Sequence, residues 1–296
     1  MLGMAVTGPG DRVTASRVSA AGVIIADAGH PELPTDASRN TAAIAAREVL
    51  RRAGASDVGV SLSIEKGLPL SGGQGGSAAS AVAGAVAVNR LLGSPLSAMA
   101  LLACALEAEA AVSGRHADNV APALLGGVCL VRSVDPLDIV SLPIADSLRT
   151  LHIVLALPDQ RLDTTDARDV LPRFIERHRM IAQMANVAAL VTAFASGDFA
   201  LLGRALDDQV AEPAREPLLR GFAEAKAAAL AAGALGGSIS GAGPTSFHFA
   251  RDAHVAAIVA AAVHAAYAAK GVACTTRLAR VAERGALTLP EEARVG

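Results

Sequence analysis

Tryptophan is absent, tyrosine occurs once, and aromatic residues make up 2% of the 296 residues. Readers of single-stranded nucleic acid stack bases on aromatic side chains, so that shortage argues against such a role. An excess of charge is also lacking: 26 Lys and Arg stand against 28 Asp and Glu, a net charge of −2. A surface that holds nucleic acid by bulk electrostatics is excluded with it. Cysteine is scarce. Cys104, Cys129 and Cys274 are odd in number and far apart, which argues against a disulfide or zinc framework and suits reduced core thiols in a cytoplasmic protein. No run of about 18 strongly apolar residues occurs, so no membrane-spanning helix is expected. No signal peptide is expected either, because Asp11 and Arg12 arrive before any apolar stretch.

What is abundant is small and apolar. Hydrophobic residues make up 52% of the chain, and the high mean hydropathy comes from Ala, Val and Leu. Residues 254–269 are dominated by Ala, carry two His, and read as a buried helix. At roughly 100–200 residues per domain the length suggests two domains. The pattern resets around 135–150, which places the domains at 1–145 and 146–296. Strands alternate with helices on both sides of that boundary, an α+β arrangement.

Along the first domain, short β-type runs fill 12–26. A helix is expected over 38–53, capped by Ser38 or Asn40 and ended by Gly54. Residues 58–64 alternate with period two and read as a strand. Helices follow at about 77–92 and 95–112, then a strand at 127–133. In the second domain a strand is expected at 151–157, helices at 174–196, 199–209 and 215–232, and two short strands flanking the glycine-rich stretch 233–247. A helix at 253–269 and a strand near 272–277 complete it.

The segment GLPLSGGQGGSAAS at 67–80 holds five Gly and runs directly into a small-residue helix. Such a loop is an anion site in outline: backbone N–H groups point one way, the helix dipole adds partial positive charge, and Gly lets phosphate approach the backbone. It is not a Walker A loop, since no Gly-Lys-Ser/Thr follows, and no acid stands where a dinucleotide fold needs one. A flexible surface loop before a tightly packed helix is the alternative.

Glu107 and Glu109 lie near a helix C-terminus, where acid opposes the dipole. Two residues apart, they cannot share a helix face. One of them is a candidate Mg²⁺ ligand, because Mg²⁺ takes one or two carboxylates plus phosphate oxygens and water. The alternative is a solvated Glu. His116, Asp118 and Asn119 follow in one loop and supply donors, an acceptor and a negative charge suited to a polar metabolite. Simple turn chemistry is the other reading.

Together these segments carry a resemblance. The stretch from Pro69 through Gly73, Gly75, Ser77 and Ala78 resembles the P-x-x-x-G-L-G-S-S-A loop of the galacto-, homoserine, mevalonate and phosphomevalonate (GHMP) kinases. HADNVAPALLGG at 116–127 looks like the most distinctive segment of homoserine kinases. TTDARDVLP at 164–172, AEPAREPLLRGF at 211–222 and GGSISGAGPTSF at 236–247 are similar to further homoserine kinase segments in the same order. The resemblance covers nearly the whole chain.

It implies a two-domain GHMP-kinase-like fold: an N-terminal α/β domain with the phosphate loop and a C-terminal ferredoxin-like α+β domain. It implies transfer of the ATP γ-phosphate to the side-chain hydroxyl of L-homoserine, on the route to threonine, with Mg²⁺. Pro69, Gly72, Gly73, Gly75, Gly76 and Ser77 would cradle the nucleotide, with Ser77 and Glu109 near the metal. His116, Asp118, Asn119, Arg168 and Arg215 would meet homoserine, Asp118 its ammonium group. Asn119, Thr164 and Arg168 form the implied catalytic set, acting by position and charge. Bidentate guanidinium groups suit an α-carboxylate; a surface Arg in each case, and a helix cap at Thr164, are the alternatives. The turn Gly241–Ala242–Gly243 resembles the family's third motif, which supports the active-site loops. Family members often dimerise, and the apolar composition permits a homodimer.

The sequence departs from the family in three places. LGMAV, from Leu2 to Val6, looks like the tail of a strand-and-motif segment with which homoserine kinases open, so a missing N-terminal stretch and an unpaired sheet edge are expected. Gln74 and Gly76 stand where the family prefers Leu and Ser, which is expected to weaken nucleotide binding. The loop at Gly114–His116 looks one residue short, with Arg115 placed to alter substrate contacts. A non-catalytic binding relative and a kinase for another small hydroxylated metabolite are the competing readings.

Overall fold

The computed structural model describes residues 1–112, 114–287 and 289. The chain divides into two compact units. One takes Met1–Pro69, Gly75–Ser141 and the segment from Ala282; the other takes Leu70–Gln74 and Leu142–Val281.

The first unit contains β1 (Leu2–Met4), β2 (Arg12–Val18), β3 (Gly22–Asp27), α1 (Thr41–Arg52), β4 (Gly59–Glu65), α2 (Gly76–Leu91), α3 (Ala98–Val112), α4 (Val120–Leu125), β5 (Val128–Val134) and β6, which runs on to Leu142 from Leu137. One sheet has the order β1-β5-β6 and another β2-β4-β3. β2 is antiparallel to β4, and β3 is parallel to it. A parallel pair needs a crossover, and α1 supplies it. β1 is an edge strand, paired antiparallel with β5.

Helices α1, α2 and α3 pack together, and their small residues explain the composition. Ala42, Ala43, Ala45, Ala46 and Val49 of α1 are fully buried. At Gly84 of α2 a Cβ would stand 2.5 Å from the Ala42 carbonyl oxygen, so only Gly permits this approach. Asn40 caps α1: its Oδ1 accepts from the Ala42 and Ala43 amides at 3.0 and 3.4 Å. The helix expected from 95 starts at Ala98 instead. Gly93 and Ser94 are left-handed, and the Asn89 amide closes the turn on the N–H and carbonyl of Leu96 at 3.0 and 3.2 Å.

The second unit holds β7 (His152–Pro158), α5 (Thr164–Asp169), α6 (Arg177–Ser196), α7 (Phe199–Arg204), α8 (Ala211–Arg215), α9 (Phe222–Ala231), β8 (Gly236–Ile239), β9 (Ser246–Ala250), α10 (Ala253–Ala269) and β10 (Cys274–Ala279). Its sheet is antiparallel in the order β10-β7-β9-β8. The helix expected over 215–232 starts only at Phe222: Arg215 is the last residue of α8, Pro217 falls in a tight turn after it, and Gly221 is left-handed ahead of α9. The strands expected to flank 233–247 lie partly within it, as β8 and the first residues of β9. Helix α10 has the expected ends but is not buried all round. Ala256, Val259, Val263 and Tyr267 face inward while Ile258 is exposed. All three cysteines are free and buried. Among the described residues no helix is long and apolar enough to cross a membrane.

Candidate functional site

In the first unit the open end of α2 is the centre of the candidate site. Gly75, at its N-cap, has φ +72 and ψ 31 and offers no capping side chain. The helical ladder begins where the Ala79 amide donates to the Gly75 carbonyl at 2.9 Å. The amides of Gly76, Ser77 and Ala78 stand ahead of it as the donors of an open helix end, with the dipole behind them. An anion is the natural ligand of such an end.

Asn119 lies over this end. A Cβ at Gly75 would come within 3.3 Å of Cβ, Cγ and Oδ1 of Asn119. Asn119 precedes α4, its side chain caps nothing, and it is exposed. The adjoining Asp118 is half-buried, and its Oδ1 is buried without a hydrogen-bond partner among the described residues. A buried carboxylate oxygen without a donor is costly, so a ligand cation or donor there would relieve it. His116 is half-buried in the same loop. Gly3 in β1 allows the close packing behind it, since a Cβ there would collide with the Asp118 carbonyl.

The two acids of α3 separate as their spacing requires. Glu109 is 3% exposed. Glu107 is half-buried and ion-paired with Arg115 at 2.9 Å. Arg115 therefore has its own carboxylate partner. Gly76 is not left-handed, and a Cβ there would meet nothing closer than the Pro69 carbonyl at 3.4 Å. Gly is thus not sterically required at 76.

Asp11 and Lys66 are given no role by the sequence motifs. They form a buried ion pair at the start of the glycine loop, with side-chain exposures of 0% and 6%. Lys66 directly precedes the loop, and that adjacency was the available signal.

In the second unit, Gly72 and Gly73 sit on the turn between β8 and β9. Thr245 Oγ1 donates to the Gly72 carbonyl at 2.5 Å and Ser240 Oγ to the Gly73 carbonyl at 2.8 Å. Gly73 has φ +70, and a Cβ there would lie 2.5 Å from the Ser240 carbonyl oxygen. Gln74 Nε2 donates to Thr245 Oγ1 at 3.2 Å, and its Oε1 accepts from Arg277 Nη2 at 3.2 Å. The Gln that departs from the family pattern is thus tied to this unit by both ends of its amide.

Arg215 is half-buried. Its Nε donates to the Ala167 carbonyl and its Nη1 to the Gly241 carbonyl, both at 2.8 Å. Burial holds its pKa below the usual value; Asp208 opposes that and the charge of Arg168 adds to it. Arg168 and the Asp208 carboxylate both lie within electrostatic reach of Arg215. Arg168 is half-buried in α5. Thr164 opens α5; its side chain lies outside the described residues.

The structure therefore assigns Gly75, Gly76, Ser77, Asn119, Asp118, His116, Glu109 and Pro69 to one unit, and Gly72, Gly73, Thr164, Arg168 and Arg215 to the other.

Comparison with known proteins agrees with these motifs. Residues 40–127 match the GHMP kinases N terminal domain and 190–269 the GHMP kinases C terminal domain. Homoserine kinase from Chloroherpeton thalassium is 43% identical over 277 residues, covering 89% of this chain and 85% of that one. Homoserine kinase from Arabidopsis thaliana is 41% identical over 251 residues, covering 83% and 68%. The crystal structure of homoserine kinase from Cytophaga hutchinsonii superposes with a TM-score of 0.91 at 39% identity, covering 96% of this chain and 90% of that one.

Proposed function

The chain belongs to the homoserine kinase family of the GHMP kinases, and on that footing we propose that it transfers the γ-phosphate of ATP to the side-chain hydroxyl of L-homoserine, giving O-phospho-L-homoserine for threonine biosynthesis. The observation that carries this reading is the packing of Asn119 on the left-handed Gly75 at the open end of α2. It joins the segment most distinctive of homoserine kinases to an anion-binding helix end.

Phosphoryl transfer demands little covalent chemistry from a protein; positioning and charge stabilisation do most of the work. The amides ahead of the α2 ladder are the groups for the transferring phosphates. Asp118 is the candidate for the substrate ammonium, because its buried Oδ1 gains a donor that way. Arg168 and Arg215 are the candidates for the α-carboxylate. Two of Arg215's nitrogens are fixed on backbone carbonyls, so its guanidinium is held in one orientation. No side chain is assigned as general base, and the hydroxyl proton passes to phosphate or solvent.

Among the described residues no group of three His, Cys, Asp or Glu could hold a metal by itself. Mg²⁺ is typically held by one or two protein carboxylates together with nucleotide oxygens and water. The buried Glu109 carboxylate and the Ser77 hydroxyl are the donors this chain would give it. The ion would neutralise phosphate charge.

Substrate choice tests the reading. With Mg²⁺-ATP, L-homoserine should be phosphorylated, while mevalonate, which has no ammonium group, should not. Equal use of both alcohols would contradict the roles given to Asp118 and the two arginines.

A further inference from the structure

The antiparallel register of β2 and β4 sets Arg12 opposite Glu65. The next residues outward are Asp11 and Lys66, and they meet as a buried ion pair. Asp11 uses both oxygens fully. Its Oδ1 accepts from the amides of Gly67 and Leu68 at 3.1 and 3.2 Å. Its Oδ2 accepts from Lys66 Nζ and from Ser80 Oγ, the latter at 2.5 Å. Lys66 also donates to the Gly76 carbonyl at 3.2 Å and to Ser80 Oγ at 3.1 Å. All three ammonium protons are therefore used inside the protein.

These contacts have a pattern. Gly67 and Leu68 are where the glycine loop leaves β4. Gly76 and Ser80 are where it enters α2. One buried pair holds both ends, and it does so with no proton left over for a ligand. From this we infer that Asp11 and Lys66 are positioning residues for the nucleotide: they hold the two ends of the loop at a fixed separation, so that the open amides of α2 are in place before phosphate arrives. The inference rests on the proposed kinase reading for its ligand. It differs from a role in which Lys66 touches phosphate itself. Ordering a loop before binding raises affinity without adding a contact, and the effect should fall on the nucleotide and spare homoserine.

Lys66→Met alone would leave the Asp11 carboxylate buried without its counter-ion and is expected to fold poorly. The double variant Asp11→Asn/Lys66→Met removes both charges and keeps an oxygen for the Gly67 and Leu68 amides. Three readouts apply: thermal melting, calorimetric binding of a non-hydrolysable ATP analogue with Mg²⁺, and separate KM values for ATP and homoserine. The double variant should melt cooperatively, bind the analogue about tenfold more weakly, and keep the homoserine KM of the parent. A cooperatively melting double variant whose analogue affinity is within about twofold of the parent overturns the inference. So does tighter or equal binding by Asp11→Asn alone, since that result belongs to a lysine that meets phosphate directly. If neither variant melts cooperatively, amide hydrogen exchange on the parent decides: Gly67 and Leu68 should be protected like β4, and fast exchange there overturns the inference. Calorimetry needs no turnover, so a parent that binds the analogue but ignores homoserine refutes the kinase reading while leaving this comparison intact.

Discussion

Asn119 crowds the place of a side chain at Gly75: a Cβ there would stand 3.3 Å from three of its side-chain atoms, on a backbone with φ +72. Gly75→Ala therefore meets two obstacles. A non-glycine residue in the left-handed region costs about 1–2 kcal/mol, and Asn119 must give way. The variant should melt at a lower temperature and show an ATP KM raised about tenfold, read from initial rates at saturating homoserine.

Gly76→Ser should behave in the opposite way. The backbone there is not left-handed and the nearest atom to a built Cβ is 3.4 Å away. Serine in the first turn of α2 places its Cβ in ordinary van der Waals contact. Stability should change by no more than about 0.5 kcal/mol, and the ATP KM should stay level or fall. A large stability loss would show that the loop is tighter than its geometry indicates.

Arg215 should not accept lysine. Its Nε and Nη1 hold the carbonyls of Ala167 and Gly241, and an ammonium group cannot reproduce that planar fork. Arg215→Lys and Arg168→Ala should each raise the homoserine KM by about ten- to a hundredfold, the loss of a charged hydrogen bond, with the ATP KM unchanged. A matching rise in the ATP KM would move these residues from substrate to nucleotide.

Local sequence signals carried some of this and not the rest. The start of α10 and the cap at Asn40 are short-range features, set by Asp252 and Asn40 accepting from amides a few residues ahead. The spacing of Glu107 and Glu109 already required opposite fates; burial distinguishes them, and Arg115 claims the outer one. The pair Asp11–Lys66 was not legible, because it depends on the register of two strands 55 residues apart. The grip on Gln74 was not legible either: its partners Thr245 and Arg277 are brought to it by the β8–β9 turn and β10, far along the chain. The break between α8 and α9 was written in Pro217 and Gly221, but the apolar periodicity of Ala and Leu ran across it.

His248 makes stability depend on acid. It is fully buried, and burial first, then the charge of Lys226, lowers its pKa from 6.5 to about 4. Between those two values the unfolded chain binds more protons than the folded one, so stability is full above about pH 6.5 and falls as the pH drops toward 4. The span is worth on the order of 3 kcal/mol. Denaturation midpoints should decline over that window in the parent, and His248→Phe should flatten the decline. An unchanged slope in the variant would assign the acid sensitivity elsewhere.

The most direct measurement is ADP release by this 296-residue chain with Mg²⁺-ATP, with and without L-homoserine, with the product identified by mass. The proposed function predicts a homoserine-dependent rate and one phosphate added to homoserine. A folded sample that binds nucleotide yet releases ADP at the same rate with and without homoserine would contradict it.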